Sequence, residues 1–186
     1  MIVAGIILAA GAGTRFDSTT HKLLAQIDDI PVVQHAIKNA LGANIGQLVV
    51  VTGAVDLSSV LKSFPDVIEV KNDNWVAGQA VSIQCGLRAL DLDVERVVIG
   101  LGDQPGIEPA TWRAIATDTH DITVATYDGQ RGNPVGLNRT MWAHLPIDGD
   151  EGARKLMKMH PELVQEVPSK GSFEDIDTVE DLRRWN

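Results

Sequence analysis

Residues 2–22 read IVAGIILAAGAGTRFDSTTHK, and this stretch decides the fold of the chain. The run from Ile2 to Leu8 is apolar and partly β-branched, which is typical of a strand buried on both faces of a parallel sheet. A loop of small residues follows, and its glycines allow a sharp turn that directs several backbone N–H groups to one point. The loop consists of Ala9, Ala10, Gly11, Ala12 and Gly13. Because Arg15 and Lys22 add positive charge beside it, the stretch predicts a phosphate-binding loop after a buried strand.

Two widespread glycine motifs do not match this loop. The dinucleotide motif requires a small residue three positions after its second glycine, where Phe16 stands, and the P-loop requires Gly-Lys-Ser/Thr after four spacers. An ordinary glycine-rich turn between a strand and a helix is the alternative interpretation. Since such a turn needs neither Arg15 nor Lys22, the two cations favour phosphate binding.

The composition predicts one folded domain over residues 1–186 and excludes several classes of protein. The hydrophobic fraction is 44%, which suits a packed globule, and no apolar run reaches the ~20 residues of a membrane span. The first residues lack the pattern of a signal peptide, and Cys85 is the single cysteine, so we expect a cytoplasmic protein without an intramolecular disulfide. The net charge of −9 argues against nucleic acid as a partner. An anion site in so acidic a chain must gather its few cations locally and recruit a divalent ion.

The order of elements predicts an α/β fold, a Rossmann-like three-layer sandwich whose mostly parallel sheet has helices on both faces. The predicted strands cover 2–8, 47–52, 67–70, 96–101, 122–126 and 163–167. The predicted helices cover 32–41, 57–64, 79–90 and 151–160, with one more starting at Pro109 and one capped by Thr178. Residues 127–149 are rich in Gly and Pro, and we predict them to be irregular. In such sheets, ligands bind outside the carboxyl ends of the strands.

Carboxylates follow two of these segments in positions that suit a metal ion. Asp103 comes directly after the strand 96–101, in Gly-Asp-Gln-Pro, and one or two carboxylates plus substrate phosphates are what Mg²⁺ prefers. A β-turn with Asp as its hydrogen-bonding residue is the alternative. Asp175 and Asp177 precede the last helix and, two residues apart, would point the same way on an extended segment. Because Thr178 can cap that helix, Asp177 is available as a second ligand, although the sequence leaves open which of the two acts.

Six blocks in the same order give the chain a specific resemblance. They are LAAGAGTRF with Lys22, NDNW with Gly78, Ser82 and Gly86, GDQP at 102–105, RGNPV at 131–135, GDEGAR at 149–154 and DIDTVEDL at 175–182. The chain resembles the MobA-like nucleotidyltransferase family, and most closely its molybdenum cofactor cytidylyltransferase branch. The resemblance implies a nucleotide-diphospho-sugar transferase-like fold. It also implies attack by a substrate phosphate on the α-phosphorus of a nucleoside triphosphate, with release of pyrophosphate.

The resemblance assigns the catalytic and metal-binding roles to four residues. Arg15 and Lys22 would neutralise the phosphates and the leaving pyrophosphate, and Asp103 would hold Mg²⁺ with Asp177 as its partner. A transfer of this kind depends mainly on positioning and charge stabilisation. The expected cofactor is therefore Mg²⁺.

The resemblance also assigns the binding residues. Those expected to line the nucleotide are Ala9, Ala10, Gly11, Ala12, Gly13, Gly78 and Ser82, with Ser82 offering a free hydroxyl near the base. Leu-Ala-Ala-Gly resembles the branch that uses CTP, and Trp75 is the one tryptophan we expect at the ligand. The acceptor would be held by Arg131, Asn133 and Arg154, within a possible acceptor-binding subdomain at 127–160. Close relatives carry His where Asn133 stands.

The expected partners are CTP, a phosphorylated molybdopterin-like acceptor and a molybdoenzyme that receives the finished cofactor. Three alternatives remain open from the sequence. The first is a nucleotidyltransferase acting on a sugar- or polyol-phosphate, which substrate screening would separate. The second is an NAD(P)H-dependent oxidoreductase, which Phe16 in the loop disfavours. The third is a non-catalytic nucleotide-binding module, which would not need both Asp103 and Asp177.

Overall fold

Strand β1 (Val3–Ala9) is an interior strand, third in order, of a seven-stranded sheet in the computed structural model, which describes residues 1–185. Asn186, the last residue of the predicted domain, lies outside the described residues. The other strands of this sheet are β4 (Leu48–Thr52), β5 (Val67–Lys71), β6 (Arg96–Leu101), β7 (Ile122–Tyr127), β8 (Gln130–Asn138) and β9 (Val164–Pro168). Their order is β5-β4-β1-β6-β8-β7-β9, and β2 (Gln26–Ile27) pairs with β3 (Ile30–Pro31) in a separate small hairpin.

Alternate residues of β1 enter two different cores, as the pleat of a strand requires. Ile6 and Leu8 belong to one hydrophobic cluster, while Ile7 and Ala9 belong to the other. A strand buried on both faces reads as an unbroken apolar run, which is why residues 2–8 predicted it.

Helices cover both faces of the sheet and complete the three layers that we predicted. They are α1 (Val32–Gly42), α2 (Ser58–Leu61), α3 (Gln79–Arg88), α4 (Pro109–Thr117), α5 (Ala153–Met159) and α6 (Val179–Arg183), with 3₁₀ turns at 75–77, 139–144 and 161–163. Ile83 of α3 and Leu156 of α5 join one core, and Ile37 of α1 and Trp112 of α4 join the other. None of the helices within residues 1–185 is long and apolar enough to cross a membrane.

The prediction of irregular structure at 127–149 is wrong, because residues 130–138 form β8, the nine-residue strand between β6 and β7. Asp128 and Gly129 both have positive φ, the geometry of a tight hairpin turn that joins β7 to β8. Strand β8 therefore runs antiparallel to both neighbours, while the remaining strands of the seven-stranded sheet pair in parallel. The start of β8, rather than its end, thus reaches the edge of the sheet where β1 and β6 finish.

Two helix predictions have different outcomes: one is too long and the other is correct at its start. Helix α2 has only four residues instead of the span 57–64 that we predicted. The last helix begins as expected, since Thr178 accepts from the backbone N–H of Asp181 while the Asp181 carboxylate accepts from the N–H of Thr178. The cap fixes the position of the acidic segment just before it.

Candidate active site

Two adjoining clefts open at the carboxyl ends of the parallel strands. The first has a volume of about 410 Å³ and the second of about 660 Å³. Their shared walls are Leu8, Lys22, Gln79, Leu101, Asp103 and Asp150. Two ligands bound side by side would therefore meet at Lys22 and Asp103, which form an ion pair within this set.

The loop after β1 forms one wall of the first cleft with its backbone. All of the predicted loop residues line it, namely Ala9, Ala10, Gly11, Ala12 and Gly13. Gly13 has a φ of +60°, and a Cβ there would lie 3.1 Å from Cγ of Lys22, so glycine suits the position in both conformation and space. Ala10 is tied down by its carbonyl, which accepts from the N–H of Ala54 at 3.0 Å.

The side chain of His21 contacts the loop after β1 and helps to fix it, a role that sequence reasoning missed. Its Nε2 lies 3.1 Å from the carbonyl of Gly11, which can only accept, and its Nδ1 accepts from the N–H of Leu23 at 3.2 Å. Burial, together with the charge of Lys22, lowers the pKa of His21 despite the opposing backbone hydrogen bonds. The neutral ring with its proton on Nε2 fits both contacts, so neither nitrogen is left for a phosphate.

The opposite wall of the first cleft carries Gly78, Ser82 and Trp75, as expected from the sequence. Gly78 has a φ of +104°, and a Cβ would lie 2.5 Å from the backbone of Gly149, so this glycine permits a close approach of two segments. Ser82 differs from the expectation of a free hydroxyl. Its oxygen already accepts a hydrogen bond from Nδ2 of Asn72 at 2.9 Å, and both side chains are buried.

Lys22 lies at the junction of the two clefts between two carboxylates. Its Nζ is 2.6 Å from Oδ2 of Asp103 and 2.8 Å from Oδ1 of Asp177, and its side chain is 11% exposed. Burial alone would lower the pKa of Lys22, but the charge and hydrogen bonds of Asp103 and Asp177 outweigh it and raise the pKa. The ammonium therefore stays charged and holds together two carboxylates that would otherwise repel each other.

Arg15 lies in a different place from the one that the sequence suggested. Its side chain is 75% exposed, lines the second cleft rather than the first, and contacts Oδ2 of Asp177 at 2.8 Å. The predicted loop cation thus faces the junction from the second cleft, because the chain turns away after Thr14.

The structure brings Asp103 and Asp177 to one point, while Asp175 has another partner. Ile176, which lies between Asp175 and Asp177, is fully buried and donates its N–H to the carbonyl of Asp103 at 2.9 Å. The carboxylates of Asp175 and Asp177 therefore both face the second cleft. Residues 175–177 do not form a strand. The carboxylates of Asp175 and Asp177 have different partners, because Asp175 accepts from Gln104 at 2.7 Å. Burial and the charge of Asp103 raise the pKa of Asp175.

The donor set at the junction fits a divalent cation. The oxygens of Asp103 and Asp177 already converge on one cation, the Lys22 ammonium, and two carboxylates with substrate phosphates suffice for Mg²⁺. Residues 1–185 contain no cluster of three or more His, Cys, Asp or Glu that could hold an ion without a substrate. An ion here would therefore need oxygens from the bound ligand.

A break in the pairing of β8 creates the second cleft. Strands β6 and β8 pair only as far as Ile99 and Val135, and the register with β7 shifts so that Asn133 and Pro134 bulge from the ladder. The bulge turns the Asn133 amide toward Gln104, whose Oε1 accepts from it at 3.0 Å. The carbonyl of Asn133 accepts from the Tyr127 hydroxyl at 2.7 Å, and burial raises the pKa of Tyr127 to about 12, so the donor keeps its proton.

All three predicted acceptor residues line the second cleft, but they differ in how firmly they are held. Asn133 is fixed by Gln104, while Nε of Arg131 forms an ion pair with Glu166 at 2.7 Å. Arg154 is exposed on α5, and within the described residues its guanidinium has neither an ion pair nor a hydrogen bond. Of the three predicted acceptor residues, Arg154 is therefore the one whose charge is most available to a ligand.

Gln104 connects the parts of the second cleft, although sequence reasoning assigned it no role beyond membership of the GDQP block. It is buried, and its amide nitrogen donates both to the carbonyl of Phe173 at 2.8 Å and to Asp175. Its position directly after Asp103 was the available signal. Asp150, which lines both clefts and accepts from the N–H of Gln79 at 3.3 Å, was also missed.

Comparison with known proteins gives the same assignment by sequence and by fold. The family model described as the MobA-like NTP transferase domain matches residues 5–166. The bifunctional protein GlmU of Corynebacterium aurimucosum is 38% identical over 152 residues, which cover 75% of this chain and 30% of that protein. The chain thus spans about 30% of the length of such curated relatives.

Two solved structures share the fold over nearly the whole chain. A nucleotidyl transferase from Methanothermobacter thermautotroptrophicus has a TM-score of 0.86 at 24% identity, covering 98% of this chain and 95% of the other. Rv0371c from Mycobacterium tuberculosis H37Rv in complex with manganese has a TM-score of 0.79 at 28% identity, covering 100% and 98%. These likenesses support the predicted three-layer α/β architecture.

Proposed function

We propose, since this chain belongs to the family of MobA-like NTP transferase domains, that it transfers CMP from CTP to a phosphorylated, molybdopterin-type acceptor and releases pyrophosphate. The observation that carries the proposal is the pair of clefts that share Lys22 and Asp103 in one wall. Two substrates bound in them would place an acceptor phosphate beside the α-phosphorus of the nucleotide. In the transfer, an oxygen of the acceptor phosphate forms a new bond to the α-phosphorus. The bond between that phosphorus and the pyrophosphate oxygen breaks.

The first cleft would hold the nucleotide. Backbone N–H groups of the loop from Ala9 to Gly13 are suited to phosphate oxygens, and Lys22 supplies charge at the same end. Gly78 and Ser82 would approach the base from the other wall. CTP is the proposed donor because Ala9-Ala10-Gly11 matches the pattern of the branch that uses CTP.

Asp103 and Asp177 are the residues that would hold Mg²⁺ together with phosphate oxygens. When bound, the ion would neutralise charge on the triphosphate and on the leaving group. Lys22 contacts both carboxylates and Arg15 contacts that of Asp177, so both cations could transfer their ion pairs to phosphate oxygens as the substrates enter. The proposed work of the protein is therefore positioning and charge stabilisation.

The second cleft suits a bulky phosphorylated acceptor. It is the larger of the two, and its lining combines apolar side chains with cations. The apolar side chains include Ile99, Val124, Val135 and Met157, and the cations are Arg15, Lys22, Arg131, Arg154 and Lys158. A phosphorylated ring system fits that combination better than a small polyol-phosphate, which favours the molybdopterin-type acceptor. A molybdoenzyme would then be the partner that receives the product.

Pyrophosphate release tests the proposal directly. The purified protein is assayed with CTP, GTP, UTP, dTTP and ATP in turn, each with a molybdopterin-type acceptor or a sugar-phosphate, and with or without Mg²⁺. We expect release only with the pterin acceptor, at least tenfold faster with CTP than with the next nucleotide, and none without the metal. Preference for a sugar-phosphate would retain the transferase and reject the acceptor. Metal-independent binding of NADPH with no pyrophosphate release would reject the transferase itself.

A further inference from the structure

The side-chain amide of Asn72 has an orientation that its neighbours determine. Asn72 follows β5 and is 2% exposed. The backbone N–H of Asn74, which can only donate, lies 3.0 Å from one end of the amide, so that end must be the oxygen Oδ1. The other end is therefore the nitrogen, and it donates to the hydroxyl oxygen of Ser82 at 2.9 Å.

This orientation decides what the Ser82 hydroxyl can offer. Its oxygen accepts from Asn72, and within residues 1–185 the hydroxyl has no acceptor to which it donates its own hydrogen. Ser82 is 4% exposed, and it lines the first cleft. The hydrogen is thus left for a group that enters the cleft, and a nearly buried hydroxyl that stays unpaired is costly.

We propose that Asn72 is a positioning residue that fixes the Ser82 hydroxyl as a hydrogen-bond donor to an acceptor atom of the nucleobase. On cytosine, the acceptors are O2 and N3. The proposal rests on the proposed function, because it takes the first cleft as the nucleotide site with Ser82 at the base. It goes further by naming the polarity of the contact and the residue that sets it.

Asn72→Asp is the informative substitution, because it keeps one contact and reverses the other. A carboxylate at position 72 can still accept from the N–H of Asn74, which preserves the loop. Its second oxygen, however, would accept from Ser82, so the hydroxyl would turn its hydrogen away from the cleft. Ser82→Ala removes the donor altogether and serves as the reference.

The experiment is isothermal titration of wild type, Asn72→Asp, Ser82→Ala and the double variant with CTP and Mg²⁺. We expect each single variant to bind CTP roughly tenfold more weakly, and Asn72→Asp to add less than about twofold in the Ser82→Ala background. Inorganic tripolyphosphate, which has no base, should bind all four proteins within about twofold. That probe separates the proposed contact from repulsion between the new carboxylate and the phosphates.

Ligand analogues test the same contact in the unmodified protein, so the outcome does not depend on whether Asn72→Asp folds. The affinity of 3-deaza-CTP, which lacks N3, or of 2-thio-CTP, which weakens the O2 acceptor, should fall roughly tenfold for wild type and not for Ser82→Ala. Equal binding of CTP and both analogues to wild type would overturn the inference while leaving the proposed function intact. So would an Asn72→Asp effect that persists in full without Ser82. Failure of the wild type to bind CTP would reject both.

Discussion

The two clefts lie side by side but are built from different parts of the chain. The first is formed mainly by backbone, from the loop after β1 and the start of α3, and its key positions are glycines and alanines. The second is formed by side chains from three distant segments, the bulge of β8, helix α5 and residues 173–177. A site formed by the backbone can bind any ligand with phosphates. A site formed by side chains can be adapted to a different ligand by substitution of those side chains. The comparison indicates that the fold determines the first cleft, proposed for the nucleotide, and individual side chains determine the second, proposed for the acceptor.

The largest effect should come from a substitution of Asp103, which lines both clefts. Asp103→Asn keeps the size of the side chain but removes half of the carboxylate pair around Lys22. We expect the rate of pyrophosphate release at saturating substrates to fall roughly 10²–10³-fold, since the groups that stabilise transition-state charge carry about that much. Steady-state kinetics at saturating Mg²⁺ measures this.

Asp91→Asn is the matched control for this prediction, because Asp91 is exposed and lies before β6 rather than after it. It should leave the rate within about twofold. If Asp103→Asn kept most of its activity at saturating Mg²⁺, the assignment of the junction as the reaction centre would be wrong.

A substitution in the second cleft should separate the two sites. Arg154 is exposed and unpaired in the described part of the chain, so Arg154→Ala should not disturb other contacts. We expect the KM for the acceptor to rise roughly tenfold, as for a lost charge-assisted hydrogen bond, with the Kd of CTP unchanged. Initial rates at varied acceptor, together with CTP titration, give both values.

Lys155→Ala is the control for charge, because Lys155 is its exposed neighbour on α5 but does not line either cleft. A similar rise in KM for both variants would indicate only a general loss of positive charge. A weaker affinity for CTP in Arg154→Ala would contradict the separation of the clefts.

The sequence predicted the parts of the fold that depend on local pattern. The apolar run at 2–8, the loop after it and the Thr178 cap all appear as expected, because each signal lies within a few consecutive residues. Strand β8 was missed since Gly132, Asn133 and Pro134 read as a breaker, although a bulge in an antiparallel pair accommodates such residues. Gly132 is needed there because a Cβ would lie 2.7 Å from the Phe173 ring.

The site was predictable where the family blocks named its residues, and less so where tertiary contacts decide their state. The sequence could place Arg15 beside the loop but not show that it faces the second cleft. It could name Ser82 but not the Asn72 contact that takes up its oxygen. Both facts depend on segments that meet only in the folded chain, so no spacing rule contains them.

The smallest expected effect concerns stability in the second cleft. Burial and the charge of Asp103 raise the pKa of Asp175, so the folded state binds that proton more tightly than the unfolded state does. The stabilisation is complete below the ordinary pKa of an aspartate and is lost as the pH rises through the higher pKa of the folded state. At neutral pH the ionised Asp175 is therefore a net cost. Asp175→Asn removes that cost, while its amide oxygen can still accept from Gln104.

We therefore expect Asp175→Asn to melt at a slightly higher temperature than wild type at about pH 7, by on the order of one degree, and to lose this advantage at about pH 4. The gain is small because Asp175 keeps contact with solvent, which screens its neighbours. Asp177→Asn should instead melt at a lower temperature than wild type at about pH 7, since its carboxylate pairs with Lys22 and Arg15 and its loss removes two attractions. Thermal melts of both variants across this pH range would test whether the two acids differ as their partners imply. A loss of stability at neutral pH in Asp175→Asn would mean that Asp175 stabilises the cleft in its ionised form, and the contrast between the two acids would then have to be abandoned.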